Sequence, residues 1–251
     1  MTATRDSASD RHFRSFCYVF ITILLLFVMY PLLYVLSASV SDPAMVASGK
    51  VILLPKGFTL EGYRRVFQDK NILTGYANTI FYTVVGTLIN LITTVPAGYA
   101  LARRTLPGRR LLTVYFMIPM YFSGGLIPTF LLVNQIGLYN TRAIMVLIYA
   151  FNMYYCIICR TFFDSMPKEM EEAAIIDGCT PFQTFFRVIL PLSKALIGVM
   201  VLFFAVEQWN TYFAAMIYLR DQDKYPLQLV LRKILVLEQT SAEMLSNAGE
   251  S

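Results

Sequence analysis

Long apolar runs are the feature that most limits what this chain can fold into. A helix needs about 20 consecutive apolar residues to cross a bilayer. The first three runs of this length contain no charged residue, and the fifth contains only Glu207. The five candidate spans are 16–36, 77–101, 111–134, 142–163 and 195–219. These runs predict an all-α integral membrane protein with five spans.

Composition supports a membrane protein and narrows the chemistry it can perform. The chain is 57% hydrophobic and 15% charged, whereas soluble domains are about a quarter charged. A single His leaves little room for a histidine metal site or for His-based catalysis. Cys156 and Cys159 have a CxxC spacing, but they lie in a candidate span without a second pair, which favours packing over a redox or metal role. We expect no catalytic residue and no metal ligand.

Arginine placement predicts the orientation of the spans. Arg103, Arg104, Arg109 and Arg110 crowd the short loop between the second and third spans. Short loops rich in arginine remain in the cytoplasm. Residues 1–15 then form a cytoplasmic N-terminal tail and 164–194 a cytoplasmic loop. The loops expected outside are 37–76, 135–142 and 220–251. Basic residues beside spans fit this topology, so we expect no nucleic-acid partner.

The loop 164–194 carries the capping signals of two short helices. Acidic residues in the first turn of the first helix complement the positive end of its dipole, and Gly178 suits its end. Thr180 and Gln183 have the spacing of a capping box for the second helix, which Pro191 ends. Because helices this short are unstable alone, we expect a partner to pack on them. A solvated loop is the alternative.

One motif in this loop resembles a known family. Glu172-Ala173-Ala174, then Gly178 after three residues, then Val188-Ile189-Leu190-Pro191 after nine more, resembles the EAA loop of ABC importer permeases. The family pattern has Ile where this chain has Val188. The resemblance implies a type I ABC importer transmembrane domain over 16–251. It also implies a coupling helix that docks in a cleft of an ATP-binding subunit. The docking residues that it implies are Glu171, Glu172, Ala173, Ala174, Ile176, Asp177 and Gly178.

Further motifs are similar to those of the carbohydrate branch of these permeases. They are Asn78-Thr79, Ala97-Gly98-Tyr99-Ala100-Leu101, Gly137-Leu138-Tyr139-Asn140-Thr141 and Trp209-Asn210. Two others are similar to a subgroup that imports complex or acidic oligosaccharides. They are Phe122-Ser123-Gly124-Gly125-Leu126-Ile127-Pro128 and Tyr225-Pro226-Leu227-Gln228-Leu229. The resemblance therefore implies a sugar as the substrate, with oligosaccharides favoured.

The resemblance also implies partners in the bacterial plasma (inner) membrane. These are a second homologous permease, two copies of a cytoplasmic ATP-binding subunit, an extracellular solute-binding protein and the surrounding lipid. The chain has no G-x-x-x-x-G-K-[ST] phosphate loop, so ATP and Mg are expected in the partner ATPase. Permeases of this type usually have six spans. The polar tail 238–251 cannot form the sixth, so we expect a truncated sequence.

The fifth span contains the candidate substrate pathway. A carboxylate at bilayer depth is costly and usually faces protein or water. The expected pathway residues are Glu207, Trp209, Asn210, Tyr212 and Asn152, with polar groups binding sugar hydroxyls and an aromatic ring stacking on a sugar. A polar contact between helices is the alternative role for Glu207. Two competing functions are an ion-coupled secondary transporter with Glu207 as its proton site and a membrane enzyme, for which no ligand cluster is found.

Overall fold

The computed structural model describes the backbone of residues 8–249 and the side chains of residues 10–237 and 240. Arg5 and the rest of the first seven residues of the expected N-terminal tail lie outside this range. So do most side chains of the expected polar tail 238–251. The chain divides into two compact units, Met1–Asp69 and Lys70–Ser251, and all regular structure in the described part is helical.

The first unit consists of one long helix and two short ones. Helix α1 (Ala8–Ser39) is 32 residues long and includes the whole first candidate span, with Pro31 inside it. It is followed by α2 (Pro43–Ala47) and α3 (Glu61–Gln68). The extended chain between α2 and α3 folds back through two backbone hydrogen bonds, from Asp42 N to Lys56 O and from Thr59 N to Val40 O.

The second unit contains the remaining helices, which are listed here in chain order. They are α4 (Lys70–Ala102), α5 (Arg109–Tyr121), α6 (Leu126–Gln135), α7 (Arg142–Leu147), α8 (Met153–Asp164), α9 (Glu169–Ile176), α10 (Pro181–Thr184), a π-helical turn (Phe185–Ile189), α11 (Leu190–Leu192), α12 (Lys194–Trp209), α13 (Tyr212–Tyr218), a 3-10 turn (Gln222–Lys224) and α14 (Leu227–Gly249). The segment 220–251, expected as an outer loop, therefore contains a 23-residue helix.

The expectation of five spans is not confirmed. Among the described residues, α1 and α4 are long and apolar enough to cross a membrane as single helices. Two bent pairs raise the number to four if each pair is one span: α5 with α6 at 111°, and α10–α11 with α12 at 82°. The fourth and fifth runs are each divided, between α7 and α8 and between α12 and α13. Periodicity and apolarity do not reveal such breaks.

Local hydrogen bonds account for two of these breaks. The Asn152 side chain accepts a hydrogen bond from Tyr154 N at 2.9 Å and begins α8 as its N-cap. The Asn210 side chain donates to Val206 O at 2.7 Å, which satisfies a carbonyl in the last turn of α12. Asn side chains compete in this way for the hydrogen bonds of the helical backbone. One Asn side chain therefore accompanies each of these two breaks.

Helix α4 is the centre of the second unit, because α8, α12 and α14 all pack against it. Buried residues lie along almost the full length of this helix, from Ile72 to Ala102. Gly86 allows α12 to approach closely: a Cβ at Gly86 would lie 2.5 Å from the amide group of Gln208. A side chain at that position would displace the Gln208 side chain or force the two helices apart.

Candidate functional site

Helix α9 ends as the capping signals predict. Gly178 has φ of +79°, a left-handed conformation that glycine adopts without strain. Cys179 N donates to Ala174 O at 2.9 Å and Gly178 N to Ile175 O at 3.0 Å, the bond pair of a Schellman motif. These bonds satisfy carbonyls that would otherwise have no partner, so the turn after α9 is defined by its own sequence.

The next helix begins with the predicted capping box. Thr180 N donates to Gln183 Oε1 at 2.9 Å, and Gln183 N donates to Thr180 Oγ1 at 3.3 Å. The helix passes through the π-helical turn and continues to Leu192, one residue beyond the expected stop at Pro191. The chain then bends by 82° into α12, which sets the α10–α11 segment at an angle to the apolar helix that follows.

The exposed face of α9 and α10 combines carboxylates with large apolar side chains. Glu172 and Ala173 are exposed, Ile176 is 85% exposed, and Phe182 is 72% exposed. Asp177 extends the same exposed strip. We call Glu172, Ala173, Ile176, Asp177 and Phe182 the docking face. Apolar side chains this exposed on a polar segment are typical of surfaces that bind another molecule.

The opposite face of α9 is tied to α4. Glu171 Oε1 lies 2.5 Å from Arg103 Nη2 and accepts a hydrogen bond from the Tyr99 hydroxyl at 3.4 Å. Ala174 is only 5% exposed. The Tyr99 ring in turn packs on Phe185, with ring centroids 4.9 Å apart. Of the seven expected docking residues, Glu171 and Ala174 therefore face into the chain, and the other five are exposed.

Arg103 is a residue whose role at this site the sequence did not indicate. In the sequence its charge indicates only the topology of the loop after α4. A second arginine of that loop, Arg109, pairs with Asp164 at the end of α8 at 3.1 Å. A cavity of about 310 Å³ lies between these ion pairs and is lined by Arg104 and Lys168 among others. The arginine loop thus holds α4, α8 and α9 together.

A groove of about 560 Å³ surrounds Glu207, where α12 ends and α13 begins. Tyr155 lines the groove together with Glu207. Tyr149, Asn210 and Phe213 also line the groove. The site therefore presents a carboxylate, hydroxyl and amide groups, and aromatic rings on the same wall. Such a combination can bind a polyhydroxylated ligand through hydrogen bonds and ring stacking.

Three of the other four expected pathway residues do not line this groove. Asn152 acts as the N-cap of α8. The Tyr212 ring faces the guanidinium of Arg232, whose Cζ lies 5.3 Å from the ring centroid. Trp209 is partly exposed and lies outside the lining. Asn210 does line the groove, and its Oδ1 accepts a 2.6 Å hydrogen bond from Gln228 Nε2. The aromatic residues Tyr149 and Tyr155 line the groove instead.

At the other end of α4, Asn140 organises a cluster of hydrogen bonds that we call the Asn140 cluster. Asn140 has φ of +57°, and its Oδ1 accepts from the backbone N–H groups of Arg220 and Asp221, both at 3.1 Å. Its Nδ2 donates to Asp221 Oδ2 at 2.8 Å. Lys224 Nζ binds both Asn140 O and Asp221 Oδ2 at 2.8 Å. The cluster joins two loops that are about 80 residues apart in sequence.

Side chains of α4 hold the segment that follows this cluster. Asn78 Nδ2 donates to Asp223 O at 2.7 Å and to Tyr225 O at 3.1 Å. Leu227 N donates to Thr79 Oγ1 at 2.8 Å, which satisfies an N–H group at the start of α14. The Asn78-Thr79 and Tyr225-Pro226-Leu227 motifs therefore meet in the structure, and they form one anchoring site for α14.

The two cysteines of the CxxC spacing are buried and unpaired. Cys156 and Cys159 have no exposed surface, and neither forms a disulfide. A Cβ at Gly98 would lie 2.5 Å from Cys159 Cβ, so Cys159 packs directly on α4. Within the described residues, no group of three His, Cys, Asp or Glu side chains is arranged to hold a metal ion.

Comparison with known proteins yields a family, relatives and a solved structure. The model of the family described as "Binding-protein-dependent transport system inner membrane component" matches residues 72–235. Protein LplC of Bacillus subtilis (strain 168) is 42% identical over 212 residues, which cover 84% of this chain and 72% of LplC. The polygalacturonan/rhamnogalacturonan transport system permease protein YtcP of the same strain is 37% identical over 240 residues, covering 96% of this chain and 84% of YtcP.

The similarity extends to three dimensions. A crystal structure of a bacterial ABC transporter involved in the import of the acidic polysaccharide alginate matches with a TM-score of 0.89 and 38% sequence identity. The match covers 97% of this chain and 89% of that chain. The fold described above is therefore the fold of an ABC importer permease.

Proposed function

This chain belongs to the family of binding-protein-dependent transport system inner membrane components, and we propose that it is one permease subunit of an ATP-driven importer of oligosaccharides. As a member of that family it is a non-enzymatic, multi-pass subunit of an ABC transporter in the inner membrane. The proposed substrate class follows from the relatives, since YtcP is named for polygalacturonan and rhamnogalacturonan and the solved transporter for alginate.

The proposed assembly contains a second, homologous permease, two copies of a cytoplasmic ATP-binding subunit and an extracellular solute-binding protein. ATP and Mg are bound by the ATP-binding subunits. The N-terminus is cytoplasmic, and five spans are formed by α1, α4, α5–α6, α7–α8 and α12–α13. Family membership does not favour the alternative of an ion-coupled transporter that uses Glu207.

The observation that carries the proposal is the docking face. An eight-residue helix that presents Glu172, Ala173 and Ile176 on one side is held to α4 by Glu171 on the other. The small Ala173 allows close approach, the apolar Ile176 can enter a cleft, and the carboxylate of Glu172 suits basic residues on its rim. Motion of a docked ATPase would then reach the membrane helices through Glu171 and Arg103.

Cysteine cross-linking to the co-expressed ATP-binding subunit tests this docking. In a background with Cys179→Ser, we expect Ala173→Cys and Ile176→Cys to form cross-links that depend on the ATPase subunit. Ala174→Cys is the matched control: it is adjacent and equal in size, but it is buried. It should form none, because its side chain faces into the chain.

Two results would contradict the proposal. One is the absence of cross-links at every exposed position along 168–178 in an assembled complex. The other is cross-linking at Ala174→Cys equal to that at Ala173→Cys, which would mean that the helix docks through its other face.

The Glu207 groove is the proposed part of the translocation pathway within this subunit. Glu207 and Asn210 would bind sugar hydroxyls, and Tyr149, Tyr155 or Phe213 would stack on sugar rings. The isosteric Glu207→Gln change should alter uptake while leaving the amount of assembled complex unchanged. Loss of assembly with normal uptake by the residual complex would assign Glu207 a structural role.

A further inference from the structure

The charge of the Glu207 groove bears on which oligosaccharides this subunit can pass. Within the described part of the chain, Glu207 is the one ionisable carboxylate on the lining, and no Lys or Arg lines the groove. The remaining polar lining consists of neutral hydroxyl and amide groups, such as those of Tyr155, Asn210 and Thr211. A carboxylate without a basic neighbour gives its surroundings a negative potential.

Helix ends do not reverse this potential. Helix α12 ends at Trp209 and α13 begins at Tyr212, so the negative end of one dipole adjoins the positive end of the other. Each end carries about half an elementary charge, and two opposite ends this close largely cancel. The first turn of α8 is already capped by the Asn152 side chain. Glu207 therefore remains the one acidic side chain on the lining, with no basic side chain to balance it.

Aromatic rings line the groove beside this carboxylate. The Tyr155 ring packs on Phe203, at 5.9 Å between centroids, and on Phe204, at 5.0 Å. A carboxylate has no proton to donate, and it accepts hydrogen bonds through the lone pairs of its oxygens. Sugar hydroxyl groups and sugar ammonium groups can donate such bonds, whereas ionised uronic acid groups cannot.

We propose that this subunit passes oligosaccharides without carboxylate groups and disfavours uronic acid oligosaccharides. The proposal rests on the proposed function and narrows its substrate class. It separates this chain from the relatives whose names refer to polygalacturonan and to the acidic polysaccharide alginate. The discrimination comes from repulsion at one residue, a form of specificity that acts against the wrong substrate rather than for the right one.

The test compares sugars that differ only in charge. Proteoliposomes would contain the complete importer with its binding protein, and ATP-dependent uptake would be measured by mass spectrometry. The probes are pectin and alginate oligosaccharides, each supplied as the free acid and as its methyl ester. We expect the neutral esters to enter at least about tenfold faster, because like charges in close contact cost enough to change affinity by that factor.

Two variants assign the effect to Glu207. Glu207→Gln is isosteric and neutral, and it should raise uptake of the acids relative to the esters toward equality. Glu207→Asp keeps the charge and should keep the preference for esters. The measured quantity is the ratio of acid to ester uptake, so moderate loss of assembled complex does not affect it.

The outcomes separate a failure of charge selection from a failure of the proposed oligosaccharide import. Uptake that favours the acids in the wild type, or an acid-to-ester ratio that Glu207→Gln leaves unchanged, overturns the charge-selection proposal and leaves the oligosaccharide importer intact. An assembled complex that hydrolyses ATP but takes up none of these sugars counts against the proposed function and against the selection that depends on it.

Discussion

Two glutamates that are adjacent in sequence have different surroundings in this structure. Glu171 is in contact with Arg103 and Tyr99, whereas Glu172 is exposed on the docking face. Neighbouring residues on a helix point about 100° apart, so one side chain can face the protein while the next faces solvent. The family motif begins at Glu172, and the residue before it serves the interior of the chain.

This division predicts opposite effects for matched substitutions. Glu171→Gln removes the charge from a half-buried pair and leaves Arg103 without its partner, so it should lower the free energy of unfolding by about 1–2 kcal/mol. Glu172→Gln should leave stability unchanged and weaken binding of the ATPase subunit. Thermal unfolding in detergent and co-purification would measure the two effects. The double change Arg103→Glu with Glu171→Arg should recover part of the lost stability; no recovery would mean that the pair contributes nothing.

The Asn140 cluster gives a prediction about pH. Hydrogen bonds from Lys224 and Asn140 hold the pKa of Asp221 below its ordinary value of 3.8. A depressed pKa means that the carboxylate form stabilises the fold, so this stabilisation is complete above the unfolded value and is lost as the pH falls through the folded pKa. Asp221→Asn should therefore lower the melting temperature at pH 5–7. The difference from wild type should shrink below about pH 3.8. A difference that stays constant down to pH 3 would contradict this linkage.

At the scale of the element, α9 and α10 are specified by local chemistry. Gly178, Thr180 and Gln183 form the stop and the cap that their types and spacing predict, because these bonds join residues within five positions of one another. The start of α8 and the end of α12 depend equally on local Asn bonds, but Asn152 and Asn210 lie in apolar runs and resemble pathway residues in the sequence. Only the structure separates these roles.

The pairings between helices could not be predicted, because they depend on contacts between residues that are far apart in sequence. The Arg103 to Glu171 pair joins positions 68 residues apart, and Thr79 satisfies the backbone of Leu227 across 148 residues. Sequence periodicity carries no information about such pairings, since they depend on which helix faces pack together. For the same reason the sequence indicated a pathway around Glu207 but not Tyr149, which lies between α7 and α8 and lines the groove.

The left-handed stop of α9 is open to a direct test. Gly178→Ala should cost about 1–2 kcal/mol, because a Cβ is strained at this φ, and Thr180→Ala about 1 kcal/mol through loss of the cap. Gly124→Ala is the control, since a Cβ there meets nothing within 4 Å and the backbone is not left-handed. Gly178→Ala and Thr180→Ala should both reduce cross-linking from Ile176→Cys. Unchanged cross-linking and stability in both variants would show that the turn is held by packing instead.

The close contact of α4 with α12 gives the second prediction for an element. Gly86→Ala would place a Cβ against the Gln208 side chain, which is 2% exposed, and overpacking of this kind costs about 1–3 kcal/mol. Gly198→Ala, in an open position of α12, should instead be neutral or stabilising by about 0.5–1 kcal/mol. Melting temperatures of the two variants test this difference in stability. Equal shifts would mean that α12 moves away from α4 without loss of stability.

At the scale of the whole molecule, α4 connects the two functional ends of the second unit. Tyr99 at one end contacts Glu171 of α9, and Asn78 at the other binds the loop after the Asn140 cluster. Helices α8, α12 and α14 pack along its length. The Glu207 groove lies on two of these helices, so every candidate site in this unit is attached to α4 directly or through one neighbour.

The continuity of α4 should therefore matter for transport more than for assembly. Ile92 is 70% exposed in the middle of the helix, so a change there affects the backbone without disturbing the core. Ile92→Pro removes a helical hydrogen bond and adds a clash, at a cost of about 3 kcal/mol. We expect ATP hydrolysis to persist while uptake falls. Ile92→Ala is the control and should transport normally. Normal uptake by the proline variant in an assembled complex would contradict this role.

Helix α4 has 33 residues and so is about 50 Å long at 1.5 Å per residue. Its two ends bind α9 and the loop that Asn140 closes, through Tyr99 and Asn78 respectively. If α9 docks on an ATPase as proposed, a displacement of α9 would act on one end of α4. The loop at the other end would then move with the same helix, without a separate signal between the two ends.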